Sequence, residues 1–257
     1  MPLDAKSGVW WESRGNGPAL ILGPAILESQ GEIIGPPMDT VLERYLARLT
    51  GRFKVVTVDY PGIGKSADID PAGFTVERVC TDLLSVADAA GMDRFVYWGT
   101  SWGAAMGLQL ALRSDRLDAL VMGAWTPLGG PYERLLKGAR LSLPDPGPGS
   151  LRVLRSKAQY LQWVTLYQSL EGFDDAAALQ AVSCPRLVYV GERGDSDAGG
   201  IDLPIASAVQ AHQSELKAAG WRVEVLPDLD HAGAVMSADA VIDRVDPFLD
   251  MLTRTLG

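Results

Sequence analysis

Short apolar runs rich in β-branched residues alternate with stretches of helical periodicity along most of the chain. The runs Gly8–Glu12, Ala19–Leu22, Phe53–Val58, Arg94–Trp98, Ala119–Ala124, Arg186–Val190 and Val223–Leu226 read as strands. Several are apolar at every position, as expected of strands buried on both faces of a parallel sheet. Helical patterns lie between them at Met38–Leu49, Val76–Ala90, Trp102–Arg113, Pro204–Ala219 and Asp239–Leu252. The alternation predicts an α/β fold, a doubly wound and mostly parallel central sheet with helices on both faces. The first two runs are separated by Gly15-Asn16-Gly17 and read as an antiparallel hairpin at one edge.

One segment breaks the rhythm. From Pro127 to about Val182 there is no convincing strand, and the stretch opens with Gly129, Gly130 and Pro131 before a Pro- and Gly-rich run at Pro144–Gly149. A helical pattern follows, with Tyr160, Trp163, Tyr167 and Leu170 on one stripe. The expected organisation is a core domain of residues 1–126 and 183–257 with residues 127–182 inserted as a helical cap. Tyr160, Trp163 and Tyr167 are candidates to line a substrate site under that cap. Ordinary packing of cap on body accounts for the same stripe equally well.

Composition narrows the class. The chain has 257 residues, 47% of them hydrophobic and 21% charged. At roughly 150 residues per domain it holds one large domain or two small ones. A chain of this length buries ~70–75% of its unfolded surface and needs no disulfide or metal staple. With 23 Lys and Arg against 32 Asp and Glu, the net charge is −9. That charge disfavours phosphate backbones and anionic lipid, so neither nucleic acid nor a membrane surface is an expected partner. A small-molecule substrate is expected instead, and the oligomeric state stays open. Cys80 and Cys184 form no disulfide framework or zinc pattern and read as small core residues in a reducing compartment. The opening MPLDAKSG lacks the regions of a signal peptide, and the apolar stretch Pro18–Leu27 is half a membrane span. The expectation is a cytoplasmic protein without a metal or cofactor.

The strongest chemical signal is Gly99-Thr100-Ser101-Trp102-Gly103, a G-x-S-x-G pattern between the run RFVYW and the small-residue helix AAMGLQLAL. Nucleophilic chemistry needs a strand to turn abruptly into a helix there, so that the serine hydroxyl projects from the sheet. The glycines let strand and helix pass closely, and the helix N-terminus aims N–H groups at developing negative charge.

Strand, elbow and helix together resemble the α/β-hydrolase fold family, over nearly the whole chain. Asp59-Tyr60-Pro61-Gly62-Ile63-Gly64-Lys65-Ser66 is similar to that family's D-x-x-G-x-G-x-S loop, and the elbow follows it in the right order. PRLVYVGERGD is similar to the strand that ends in the family's acid loop, and LPDLDHAG to the loop that carries its histidine. Gly62–Ser66 also looks like the end of a phosphate-binding loop, but Asp59 stands where that pattern needs glycine. Asp59 and Asp70 read as loop-fixing residues.

A serine hydroxyl needs a base to remove its proton. Of the two histidines, His231 follows the last strand at the same end of the sheet as Ser101. His212 lies inside a helix, on the stripe Ile205, Val209, His212, Leu216, and reads as packed or partly buried. The resemblance implies a carboxylate as third member, to fix the imidazole tautomer. ALVMGAWTP offers none, whereas GERGDSD offers Glu192, Asp195 and Asp197. Asp195 is the first choice and Asp197 the alternative. The family pattern G-x-x-D is not met, because Asp195 stands four residues after Gly191. The resemblance also implies two oxyanion donors. One is the N–H of Trp102. The other falls to Ala25, counted along Gly23-Pro24-Ala25, since Pro24 has no N–H to give.

These residues point to a metal-free serine hydrolase that cleaves a small or medium ester, lactone or thioester through an acyl-enzyme on Ser101. A C–C bond hydrolase would use the same residues. A non-hydrolytic lyase or cyclase, or a binding protein on the same scaffold, stays open because fold does not settle reaction.

Overall fold

The computed structural model describes residues 3–23, 26–36 and 38–256. Seven strands form the main sheet: β1 (Trp10–Arg14), β2 (Ala19–Leu22), β3 (Lys54–Asp59), β4 (Phe95–Thr100), β5 (Leu117–Gly123), β6 (Arg186–Arg193) and, last in sequence, Trp221–Asp230. A short antiparallel hairpin, β7 (Ser196–Ala198) with β8 (Ile201–Leu203), precedes the last strand, which is therefore β9. The order across the sheet is β1-β3-β2-β4-β5-β6-β9, and every pairing is parallel except β1 with β3.

Strand side chains alternate between two apolar layers, which is why helices must cover both faces. Ile21, Tyr97, Met122 and Val188 join one buried cluster, and their sequence neighbours Leu22, Trp98, Val121 and Leu187 join the other. The early helices are α1 (Gln30–Ile34), α2 (Met38–Leu49), α3 (Val76–Ala89) and α4 (Trp102–Arg113). Between β5 and β6 the described residues contain helices and no strand: α5 (Tyr132–Ser142), α6 (Pro148–Val153), α7 (Leu161–Gln168) and α8 (Asp175–Ala181). The chain then forms α9 (Ile205–Ala211), α10 (Gln213–Ala218), α11 (His231–Met236) and α12 (Ala238–Leu256). Val79 and Leu83 of α3 cover the first layer, while Tyr45 of α2 and Val241 and Val245 of α12 cover the second. The expected doubly wound sheet is present.

Two readings need correction. The expected β1–β2 hairpin does not form, because β3 lies between these strands and takes β1 as its antiparallel partner. Gly15 and Gly17, both at positive φ, lie so close to the 50–53 backbone that a Cβ would stand 2.4–2.5 Å from its carbonyl oxygens. The turn is thus packed on the end of α2 and carries β1 past β2. The helix expected over Pro204–Ala219 is two helices that meet at His212, a half-exposed residue whose Nδ1 lies 2.8 Å from Glu215. Gly199-Gly200, both exposed, close the β7–β8 hairpin. That hairpin packs on α5 so tightly that a Cβ on Gly138 would meet the Ala198 carbonyl oxygen at 2.3 Å.

Both cysteines are free, and Cys80 is buried. Among the described residues no helix is long and apolar enough to cross a membrane, and no three His, Cys, Asp or Glu side chains converge as a metal site would require.

Candidate active site

Ser101 stands between β4 and α4 at φ 52°, ψ −129°, a conformation that L-residues adopt at a cost. The surroundings hold it there. Its N–H donates to the Gly123 carbonyl of β5 at 2.8 Å, and its own carbonyl accepts from Ala104 N–H at 2.9 Å. The turn is possible because position 99 has no side chain: a Cβ there would lie 2.3 Å from the Gly103 carbonyl oxygen. Tyr97 ties the same place from below, donating its hydroxyl to that carbonyl at 2.9 Å.

His231 is the first residue of α11, directly after β9, and Asp230 caps the helix by accepting Gly233 N–H at 2.7 Å. β9 lies two strands from β5, yet the ring reaches back across the sheet edge. Ser101 Oγ and His231 Nε2 are 3.1 Å apart, within hydrogen-bond reach. Burial holds the imidazole's pKa below its ordinary 6.5, partly offset by the Gly194 backbone and the Asp230 charge. A base of that kind is neutral at physiological pH and free to accept a proton.

The sequence-based choice of acid is not where a triad needs it. The Asp195 carboxylate is exposed and turned to Ser207, accepting its N–H at 2.9 Å and its hydroxyl. Asp197 is exposed in the β7–β8 hairpin, opposite Asp202, and Glu192 accepts from Asp228 N–H at 3.2 Å. His231 Nδ1 is buried and no atom meets it in hydrogen-bond geometry. The reason is local: Gly194 starts a tight turn that carries Asp195 outward, to the N-terminal end of α9.

Trp102 opens α4, so its N–H is one of the four at a helix start with no acceptor inside the helix. Ala25 and Pro24 lie outside the described residues. Gly23 N–H is already committed to the Trp98 carbonyl at 2.7 Å.

A cavity of about 310 Å³ opens beside Trp102, the residue that follows Ser101. Trp102, Tyr160, Trp163 and Tyr167 line it, as does Tyr60, which the sequence reading passed over. The ring of Trp102 is in edge contact with Tyr60 at 4.6 Å between centroids. The available signal for Tyr60 was its place one residue after β3, at the same sheet edge as Ser101. None of the described residues lining the cavity is charged. Asp59, by contrast, is fully buried and serves the loop: it accepts from Ser29 N–H at 2.8 Å and Lys65 N–H at 3.0 Å. Asp70 likewise accepts Ala72 N–H at 3.0 Å in a short turn.

Known proteins share this fold. The chain is similar to a thermophilic esterase from Thermogutta terrifontis, with a TM-score of 0.67, 20% identity, and coverage of 95% of this chain and 94% of that one. It is also similar to an enol-lactonase from Burkholderia xenovorans LB400, with a TM-score of 0.68, 21% identity, and 94% and 96% coverage. At that identity the likeness concerns the fold. In sequence it is 33% identical over 138 residues to the "Putative carbamate hydrolase RutD" of Stutzerimonas stutzeri (strain A1501). The match spans 52% of each protein, so it reaches about half the length of that relative. The family model described as "Alpha/beta hydrolase family" matches residues 37–244. With that match over most of its length and a mostly parallel sheet whose central strand β4 turns into a helix at Ser101, the chain belongs to the alpha/beta hydrolase family.

Proposed function

We propose that the protein is a serine hydrolase that cleaves an uncharged carboxylic ester, lactone or thioester through an acyl-enzyme on Ser101. The observation that carries this reading is the 3.1 Å approach of Ser101 Oγ to His231 Nε2, with the next residue, Trp102, in the wall of an aromatic cavity. Ser101 Oγ attacks the carbonyl carbon while its proton passes to Nε2. Trp102 N–H, with Ala25 N–H as second donor, receives the oxyanion. His231 then gives the proton to the leaving alkoxide or thiolate. A water molecule, deprotonated by the same nitrogen, releases the acid.

The substrate class follows from the cavity wall. A lining of Tyr60, Trp102, Tyr160, Trp163 and Tyr167 without charge favours apolar groups and penalises an unpaired ionised one. The helical segment 127–182 acts as the cap that supplies most of this wall. A second reading, a neutral carbamate as substrate, is supported by the sequence likeness to the carbamate hydrolase named above. It uses the same steps at the carbonyl.

The test is a panel of p-nitrophenyl acyl esters of graded length, lactones, thioesters and aryl carbamates, run with wild type and Ser101→Ala. Turnover of one of these classes that disappears in the variant supports the reading. Wild-type inactivity on all four overturns it.

A further inference from the structure

We propose that the catalytic unit is a Ser101–His231 pair without a carboxylate, in which the Gly194 backbone carbonyl faces His231 Nδ1 and orients the ring. This rests on the serine-hydrolase reading above and goes beyond it by assigning the third position.

The sheet register carries the argument. Strands β6 and β9 are parallel and pair Arg193 with Asp230. The next residues on each chain, Gly194 and His231, are therefore brought side by side. Counted from Gly191, Gly194 occupies the place that a G-x-x-D loop gives to its acid. Position 194 is buried, and its N–H donates to the Gly191 carbonyl at 3.0 Å. A Cβ at 194 would stand only 2.8 Å from that same carbonyl oxygen. The tight turn thus brings backbone, and no side chain, up to the imidazole.

The neighbouring acids are committed elsewhere. Asp195 serves Ser207, Glu192 accepts from Asp228 N–H, and Asp230 caps α11. Nδ1 is buried and has no hydrogen-bond partner in this structure, side chain or backbone. Gly194 follows the paired Arg193 as His231 follows Asp230, which makes its carbonyl the acceptor that the strand register offers to the ring. A carbonyl can accept Nδ1–H and so keep Nε2 as the free base toward Ser101. It carries no full charge, so it steadies the imidazolium less than a carboxylate does. The proton balance is that of the mechanism above: from Ser101 Oγ to Nε2, then to the leaving group.

The test measures kcat and the pH profile of kcat/KM on one ester for wild type, Asp195→Asn, Asp197→Asn and Glu192→Gln. Changing a true triad acid to its amide costs ~10⁴ in kcat. Here each amide is expected within about tenfold of wild type, with the acid limb unmoved in Asp195→Asn. A loss of about 10³ or more in any of them, or a lowered acid limb in Asp195→Asn, overturns the proposal. Nitrogen NMR of labelled histidine gives a readout that does not depend on turnover, with His212→Gln to assign the two rings. The Nδ1–H tautomer of His231, with the same titration in wild type and Asp195→Asn, is expected. An Nε2–H tautomer, or a titration that moves with Asp195, overturns the assignment. Ser101→Ala in the same ester assay separates the two levels. If it stays active, the serine-hydrolase reading itself fails, whatever the amides do.

Discussion

The indole rings of Trp102 and Trp163 meet edge to face, with centroids 5.2 Å apart and planes at 71°. Trp102 follows the candidate nucleophile and Trp163 belongs to α7, so the helical segment is packed directly onto the elbow. Tyr60 and Phe74 complete the cluster around the same two rings.

On the serine-hydrolase reading proposed above, Trp163 is expected to act as a ruler for substrate size. Trp163→Ala should change the ratio of kcat/KM between long and short acyl esters by about tenfold or more, since one methylene in an apolar pocket is worth ~1–3 kcal/mol. Specificity constants along a C2–C12 ester series measure it. An equal fall for every chain length would reduce Trp163 to a packing residue.

Ser101→Ala should lower kcat by about 10² or more while leaving the fold intact, since a serine–histidine pair without a carboxylate has less than a full triad's ~10⁶ to lose. Ser101 makes its structural bonds through backbone atoms, which alanine keeps. Active-site titration and thermal melting together check both halves. Activity within tenfold of wild type would remove the serine from the chemistry.

The pH dependence follows from the buried imidazole. Its folded-state pKa lies below 6.5 through burial, so His231 is neutral and able to act as base from below that pH upward. The acid limb of kcat/KM should therefore fall below pH 6.5, lower than an exposed histidine would give. The same shift links to folding. The unfolded chain takes up the proton first as pH falls, so this group's contribution to stability is complete above 6.5 and declines below it. A limb above 6.5 would mean that an unseen charge holds the ring.

Gly99 is the elbow's steric requirement. Gly99→Ala places a methyl 2.3 Å from the Gly103 carbonyl oxygen, a backbone atom that cannot swing away. It should cost about 1–3 kcal/mol, the usual range for overpacking, and reduce turnover as Ser101 shifts. Gly51→Ala, with nothing within 4 Å of its added Cβ, is the matched control. Urea midpoints of the two variants give the comparison; equal midpoints would show that the elbow has slack.

Much of this molecule is determined by local sequence. Apolar runs such as Phe95–Trp98 and Leu187–Val190 have no polar face, so they can only be strands covered on both sides. Helices such as α2 and α12 carry one apolar stripe that must lie on them. The elbow glycines and the position of His231 after the last strand are also local features, so Ser101 and His231 were legible. What was not legible depended on pairing between distant segments. Gly15-Asn16-Gly17 suits a hairpin turn, but packing of that turn on the 50–53 backbone sends β1 to β3 instead. Asp195 is the nearest acid to the expected spacing, but which residue meets His231 is decided by the β6–β9 register. That register pairs Arg193 with Asp230, the residues just before Gly194 and His231, while Asp195 is turned to Ser207. Periodicity and spacing record which face a residue takes along its own element; the meeting of two elements depends on register and close packing, which only the folded chain supplies.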